Sequence, residues 1–426
     1  MASSKELDIQ NFGCRLNALE GDQIRAAAEA AGLGDATIIN SCAVTQEAVR
    51  QARQAVRKAK RNAPERPVFV TGCAAQTDPK EFEAMPEVSR IIGNVEKAQV
   101  AAYIPNAPDK MISDIMRDLP AIEAAGPAQP RQRAFVQVQN GCDHRCTFCI
   151  IPFGRGNSRS LPVERVIDQC RTLLDQGHGE IVLTGVDITS WGPDIGEAGI
   201  GVLIRKLLDA LPNLNRLRLS SVDAVELDPE FLDLVVHEPR LMPHLHLSLQ
   251  AGDNMILKRM KRRHSREEAV RFCQELKAKR PDIVFGADLI AGFPTETDEM
   301  FLNTLNLIED CDLVWLHIFP FSARPDTPAA KMPQLNGAIV QQRARELREA
   351  GDRNRQKWLD QQKGKTFSVL MEKPDQGRAE NFARIQLGTS AEAGAKTNID
   401  TGVEAGQVVS VRVSENDGQK LFGERV

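Results

Sequence analysis

Phe135-Val136-Gln137-Val138-Gln139-Asn140-Gly141-Cys142-Asp143-His144-Arg145-Cys146-Thr147-Phe148-Cys149 is a short strand that runs straight into a loop carrying three cysteines. Apolar and polar residues alternate through Phe135–Asn140, the two-residue period of a strand with distinct faces. The loop is a CxxxCxxC run. Three thiolates from one loop suit a four-iron cluster and leave one iron open to bind something that reacts. A zinc ion would want a fourth Cys or His, and His144 inside the loop keeps that alternative in view. Phe148 and the flanking β/α pattern favour iron and sulfur. Potentials of such clusters extend down to about −700 mV, low enough for one-electron reduction of a bound cofactor.

Downstream of this loop, strands and helices alternate. Strands are expected at Glu180–Thr184, Arg216–Ser221, His244–Leu249, Ile283–Leu289 and Leu313–Ile318. Helices are expected at Val163–Gln176, Val202–Ala210, Pro229–Val236, Ser265–Lys279 and Thr297–Glu309. Six β/α units thus fall in about 190 residues, against about 250 for a closed eightfold barrel. An incomplete (β/α)6 barrel fits, with its chemistry at the carboxyl ends of the strands. The CxxxCxxC loop follows the first of them.

Upstream, the first hundred residues also alternate. Leu7–Asn11, Ala36–Asn40, Pro67–Thr71 and Val88–Ile92 read as strands. Asn17–Ala31 reads as a helix ended by Gly32, Thr45 as the N-cap of a long helix to about Arg61, and Pro79–Ala84 as a further helical turn. This pattern predicts βαβ units in an open parallel sheet. Gly13-Cys14, Ser41-Cys42 and Gly72-Cys73 each follow a strand directly. The carboxyl ends of parallel strands share one edge, where ligands bind. Cys14, Cys42 and Cys73 are therefore expected to converge as a second three-thiolate site. The alternative is three small buried core residues. Cys170, Cys273 and Cys311 fall on or beside helices and read as packing residues.

Pro105, Pro108, Pro120, Pro127 and Pro130 mark 105–133 as a linker, with one helix around Ser113–Ala124. At the other end, Gly364–Met371, Phe382–Leu387 and Gln407–Val413 read as strands of a small β-barrel. The domain reading is 1–104, linker 105–133, barrel 134–360 and β-barrel 361–426. Net charge is −4, so contact with a polyanion must come from local patches. Two are visible: Lys258–His264, and the helical stretch Arg343–Lys363. A solvated helix face is the alternative for each. No run of about 18 apolar residues occurs, and Met1-Ala2-Ser3-Ser4-Lys5-Glu6 does not read as a signal peptide. A soluble, cytoplasmic chain without a membrane partner is expected, and its nine cysteines read as ligands or buried thiols rather than disulfides.

Asn140-Gly141-Cys142-Asp143-His144-Arg145-Cys146-Thr147-Phe148-Cys149-Ile150-Ile151-Pro152 resembles the cluster loop of radical S-adenosylmethionine (SAM) enzymes. The Gly13–Asn17, Asn40–Thr45 and Val70–Cys73 segments resemble the amino-terminal domain of the methylthiotransferases among them. Arg155–Ser160, Leu245–Gln250, Asp288–Pro294 and His317–Ser322 extend the likeness, and the final β-barrel resembles the RNA-binding TRAM domain. The resemblance implies two 4Fe-4S clusters. One, on Cys142, Cys146 and Cys149, binds SAM at its open iron and cleaves it to a 5′-deoxyadenosyl radical. The other, on Cys14, Cys42 and Cys73, presents the sulfur that is methylated and delivered. It further implies a tRNA anticodon stem-loop as partner and an electron donor such as flavodoxin or ferredoxin.

The resemblance also suggests ligand contacts. Gly185 and Asp187 end the second barrel strand, where relatives hold the SAM amino group; a turn-capping Asp is the alternative. Ser220, Gln250 and Asp288 stand at or near strand ends and are candidates to line the SAM pocket, or to be ordinary structural polar residues. Arg155 and Arg159 are candidates for SAM carboxylate or substrate phosphate, and Arg324 has a similar place after the sixth strand. Gly13-Cys14-Arg15-Leu16-Asn17 resembles the branch acting on threonylcarbamoyladenosine at position 37 of tRNA. Methylthiolation of a ribosomal-protein aspartate, or a non-catalytic iron–sulfur RNA-binding protein, are the alternatives. Asp187, Asp326 and Ala251 depart from the commoner Asn, Gly and Ser of the family at those positions.

Overall fold

The computed structural model describes residues 7–117, 132–224, 226–389 and 402–426. The amino-terminal part comprises β1 (Asp8–Asn11), α1 (Arg15–Ala30), β2 (Thr37–Ser41), α2 (Gln46–Asn62), β3 (Val68–Gly72), α3 (Cys73–Thr77), α4 (Pro79–Glu83), β4 (Arg90–Ile92) and β5 (Lys110–Met111). Its five strands pair in parallel in simple sequence order. β2 and β3 are apolar-rich and buried throughout, as central strands of a sheet covered on both faces are. Thr45 caps α2, its hydroxyl accepting from the Ala48 amide at 3.1 Å, which holds one orphan donor of the first turn. The sheet takes in β5, so the boundary expected at 104 falls inside it; two residues are too few to display a period. Of the helix expected around Ser113–Ala124, residues 113–117 form no helix, and the rest lies outside the described residues.

The central part holds β6 (Arg133–Gln137), β7 (Gln139–Asn140), α5 (Ile151–Arg155), β8 (Arg159–Ser160), α6 (Val163–Asp175), β9 (Glu180–Thr184), α7 (Ile200–Ala210), β10 (Leu217–Leu219), β11 (Ser221–Val222), α8 (Pro229–His237), β12 (His244–Gln250), α9 (Asn254–Met260), α10 (Arg266–Lys279), β13 (Val284–Ala291), α11 (Asp298–Asp310), β14 (Leu313–Pro320) and α12 (Gly337–Asp360). β6, β9, β10/β11, β12, β13 and β14 form an arc of parallel strands, the third interrupted at Ser220. The two edges of the arc are β6 and β14, which do not meet. Alternation sorts the side chains. Val136, Ile181, Leu183, Leu219, Leu245, Leu247, Ala287 and Leu289 pack with the helices in the main core. Their neighbours Phe135, Glu180, Val182, Arg218, His246 and Asp288 line the lumen by the same alternation. The lumen is therefore largely polar, unlike the side-chain-filled interior of a closed barrel.

The carboxyl-terminal part is a closed five-stranded barrel of β15 (Thr366–Lys373), β16 (Gln376–Ala379), β17 (Arg384–Leu387), β18 (Val408–Asn416) and β19 (Leu421–Arg425). Sequence reading anticipates three of these strands and misses β16 and β19, which are short and rich in Gly and Arg. This barrel docks under the amino ends of the lumen strands. Val284 and Val314 join its core, and Trp358 at the end of α12 packs edge-on against Trp315. The amino-terminal domain covers the lateral gap: α1 packs on β6, while the Gln46 amide donates to Ser322 Oγ (3.1 Å) and its side chain to the Ala323 carbonyl (3.2 Å), just past β14. No helix among the described residues is long and apolar enough to cross a membrane.

Candidate active site

The register of the first sheet brings its cysteines together. Asn11 pairs with Asn40, Asn40 with Thr71 and Ser41 with Gly72, so Cys14, Cys42 and Cys73 follow three neighbouring strand ends. Gly13 sits at φ 96°, and a Cβ there would lie 2.5 Å from the Cys42 Cβ. Only glycine permits that approach. Asn17 ties the loops together, its side-chain nitrogen donating to the carbonyls of Phe12 (2.7 Å) and Ser41 (3.0 Å). Cys42 and Cys73 are buried, whereas Cys14 is exposed. Burial, with the charges of Cys73 and Cys14 close by, pushes the Cys42 thiol up to about 12. The trio stands together at one sheet edge.

The CxxxCxxC loop is pinned from several sides. The Cys142 amide donates to the Gly156 carbonyl (3.1 Å) and the Thr147 amide to the Met260 carbonyl (3.1 Å), while the Ala329 amide donates to the Thr147 carbonyl (2.9 Å). Gly141 has φ 76°, and a Cβ on it would collide with the Asn157 carbonyl. Arg262 places Nη1 3.8 Å from Cys146 Sγ and is itself held by Asp223 at 2.6 Å. Burial raises the Cys149 thiol to about 12. His144 stands beside Cys142 and Asp187, their donor atoms within 4.8 Å of one another, and its Nε2 lies between Asp187 (2.9 Å) and Glu226 (3.2 Å).

One short helix joins the two trios. Ile150, next to Cys149, is buried in the core that contains Cys73, Ala74 and Ala75. Four residues on, a Cβ at Gly154 would lie 3.3 Å from the Cys73 Cβ. The Asn94 side chain donates to the Gly154 carbonyl at 2.5 Å and reaches to 3.7 Å of Cys73 Sγ. Arg155 ends the helix. Its guanidinium is only 4% exposed and donates to Glu20 (2.7 and 3.0 Å) and to Asn17 Oδ1 (2.6 Å), and Lys97 pairs with the same Glu20 at 2.7 Å. Burial alone would push the Glu20 carboxyl up; Arg155 and Lys97 together bring it down to about 2. From Cys149 to Gly154 a helical path rises on the order of 8 Å, so the loop of Cys142, Cys146 and Cys149 stands close to Cys73.

Two family models match the chain: the radical SAM superfamily over residues 136–308, and an uncharacterized protein family, UPF0004, over residues 6–93. The threonylcarbamoyladenosine tRNA methylthiotransferase MtaB of Rickettsia prowazekii is 46% identical over 91% of this chain and 92% of its own. The Aquifex aeolicus protein of the same name is 34% identical over 89% and 95%. The chain belongs to the radical SAM methylthiotransferases. A tRNA-2-methylthio-N(6)-dimethylallyladenosine synthase of Cereibacter sphaeroides is 31% identical over the full length of both. Among solved structures, the radical SAM methyltransferase TsrM of Kitasatospora setae, with cobalamin and a 4Fe-4S cluster bound, is alike in fold. It has TM-score 0.54 at 15% identity, over 74% of this chain and 69% of that one.

The cofactors of a radical SAM methylthiotransferase, SAM and 4Fe-4S clusters, suit the donors present. Three thiolates outweigh the charge of a four-iron core, and the structure sets a cation beside each trio: Arg155 near Cys73 and Cys14, and Arg262 at Cys146. The thiols must lose protons on loading, and these cations favour that loss. Of the suggested ligand contacts, Asp187 adjoins the cluster loop, with Oδ2 3.6 Å from Cys142 Sγ. Burial opposes its charge, but hydrogen bonds from His144, Thr189 and Ser190 hold its carboxyl at about 2. The Gly185 position leaves no room for a side chain beside the Gln139 carbonyl. Ser220 is half-buried at the break between β10 and β11, and Gln250 ends β12 at φ 69°. Asp288 is engaged within the lumen, its Oδ1 3.0 Å from both His246 Nε2 and His317 Nδ1. Arg155 is committed to the domain interface, so its expected contact with SAM or phosphate gives way to that ion pair. Arg159 is half-buried and donates to the Arg155 carbonyl at 2.9 Å. Arg324 is buried near Cys42. Cys170, Cys273 and Cys311 lie in the main core. Glu20, Asn94, Lys97, Asp223 and Arg262 escape sequence reading. Glu20, Asn94 and Lys97 resemble ordinary surface polar residues until the domains meet; Asp223 and Arg262 pair within the barrel, and Arg262 is hidden inside a run that reads as a basic surface.

Proposed function

We propose that this chain transfers a methylthio group to carbon 2 of N6-threonylcarbamoyladenosine at position 37 of tRNA, taking the anticodon stem-loop as partner and its electron from a flavodoxin or ferredoxin. The observation that carries the reading is the five-residue helix α5, which sets the Cys142, Cys146 and Cys149 loop against Cys73 of the other trio. The naming of relatives identical at 46% and 34% over nine-tenths of the chain supports the substrate. When bound, one cluster supplies the electron that splits SAM homolytically, and the other the sulfur to be transferred. The chain's own residues do the rest. Gly141 and the Thr147 hydrogen bonds fix the loop. Arg262 and Arg155 offset negative charge at the thiolates. Asp187, Gly185, Ser220 and Gln250 stand at the carboxyl ends of the strands, where we place SAM. The lumen walls exclude water from a reactive carbon. Adenosine 37 lies in a single-stranded loop, so taking its base out of the stack costs only a few kcal/mol. Nucleoside mass spectrometry of tRNA from a strain lacking this chain tests the reading. Loss of 2-methylthio-threonylcarbamoyladenosine, with its unthiolated precursor accumulating, is expected; an unchanged level overturns it.

A further inference from the structure

Among the described residues, the floor of the lumen holds a guanidinium with no hydrogen-bond or ion-pair partner. Phe382, at φ 73° in the turn between β16 and β17, projects from the carboxyl-terminal barrel and stacks on His244 with ring centroids 4.6 Å apart. Four guanidiniums gather round its ring: Arg378 at 4.3 Å, Arg218 at 5.1 Å, Arg133 at 5.7 Å and Arg15 at 5.8 Å. Three of them are spoken for. Arg218 holds Glu180 at 2.8 Å, Arg133 holds Glu372 at 2.7 Å, and Arg378 reaches the same Glu372 at 3.3 Å. Arg15 differs. It arrives from the amino-terminal domain, one residue after Cys14, and reaches 5.7 Å from the Phe135 ring on β6. Among the described residues it has no hydrogen bond and no ion pair, and it remains exposed although two aromatic rings wall it.

We infer that Arg15 is the receptor for the carboxylate of the threonyl group on the substrate nucleoside, with Phe135 and Phe382 as the walls of its pocket; this rests on the substrate proposed above. The charge count favours an anion. Arg15, Arg133, Arg216, Arg218 and Arg378 outnumber Glu180, Glu372 and Glu380, and still do when Asp288 is included. Arg218 is 1% exposed, and its Nη1 has no hydrogen-bond partner among the described residues, so the floor retains unmet donor capacity. A planar guanidinium takes a carboxylate through two parallel hydrogen bonds. The pocket also lies on the correct side of the molecule: Arg15 is the neighbour of Cys14, so a base anchored here by its N6 substituent is held beside the sulfur-bearing trio. Asp288, flanked by His246 and His317, faces the same space and repels a misplaced anion.

Holoenzyme reconstituted with iron and sulfide is assayed on two synthetic anticodon stem-loops. One carries threonylcarbamoyladenosine; the other carries the same nucleoside with its carboxylate reduced to a primary alcohol. The native enzyme is expected to favour the acid by at least about tenfold in kcat/KM, mainly through KM. Arg15→Gln should bring the two substrates level, and Arg15→Lys should keep part of the preference. Iron content and the visible cluster absorption report whether each variant is assembled. A native enzyme that acts on both stem-loops equally overturns the inference without any variant, as does an Arg15→Gln enzyme that keeps the native preference. An equal loss on both substrates assigns Arg15 to the SAM carboxylate or to structure, and overturns it too. A native enzyme that thiolates neither stem-loop refutes the substrate reading itself.

Discussion

At the residue scale, the proposed reaction divides its labour between the two cysteine trios. On that proposal, Cys14→Ala removes one ligand of the sulfur-supplying site and leaves the other loop intact. Formation of 5′-deoxyadenosine should persist while methylthio product disappears; Cys146→Ala should abolish both, as chromatography of one reaction mixture can read. Normal product from the Cys14 variant would count against the division. Gly141 is equally exacting. Alanine there has to give up φ 76° and clear the Asn157 carbonyl, so the loop must shift. Iron bound by Gly141→Ala should fall from about eight to about four per chain, with the other trio still loaded. The cysteines are legible in the sequence because their chemistry is rare and their spacing regular. Arg155 is legible as important, yet not in its role, because a guanidinium beside a glycine-rich turn serves a ligand or a buried carboxylate equally well.

At the element scale, α5 is the joint between the two sulfur sites. Five residues long, it cannot be a stable helix by itself; packing against α3 and the Glu20–Arg155–Lys97 cluster hold it. Glu20→Gln leaves two cations buried without a carboxylate, a change that costs about 3–5 kcal/mol when a buried pair is broken. Hydrogen exchange in α1 and α5 should accelerate, and thiolation should fall more than SAM cleavage. The same carboxylate sets an acid limit. Its folded pKa, about 2, lies below the ordinary value of 4.5, so its contribution is fully present above about pH 4.5 and is lost as pH falls towards 2. The calorimetric midpoint of the native protein should drop more steeply than that of Glu20→Gln over that range. Sequence periodicity locates the longer helices and the main strands of the partial barrel, but not the short helices α3, α5 and α9. It misses β5, β8, β16 and β19, which are short and paired by their neighbours rather than by their own pattern.

At the scale of the whole molecule, three domains enclose one chamber. The partial barrel supplies walls, the amino-terminal sheet closes the lateral gap, and the carboxyl-terminal barrel seals the floor through Phe382 and the Glu180–arginine network. Outside, the basic run on and just past α12 does present cations: Arg345, Arg348 and Arg353 are exposed, Lys357 and Lys363 are exposed but paired with Glu309 and Asp360, and Arg343 is buried against Glu296. The run 258–264 contributes far less. Arg262 turns inward, and Arg263, though exposed, is paired with Asp223 and Glu226, which leaves Lys258 and Lys261. Replacing Arg345, Arg348 and Arg353 by Gln should weaken tRNA binding. The slope of log affinity against log salt should fall by roughly one for each phosphate no longer neutralised. An unchanged slope in filter binding would remove α12 from the tRNA path.

By itself, the sequence determined the class of fold and which cysteines follow the strand ends as two trios. Both rest on local facts: a strand period, a turn after each strand, and thiols at fixed short spacing. Only the tertiary structure decided what the charged residues do. Glu20, Arg155 and Lys97 are far apart along the chain, as are Arg15, Phe135 and Phe382, and each set is assembled by docking one domain on another. A charge takes its role from what surrounds it after water has been removed, and docking is the step that removes the water.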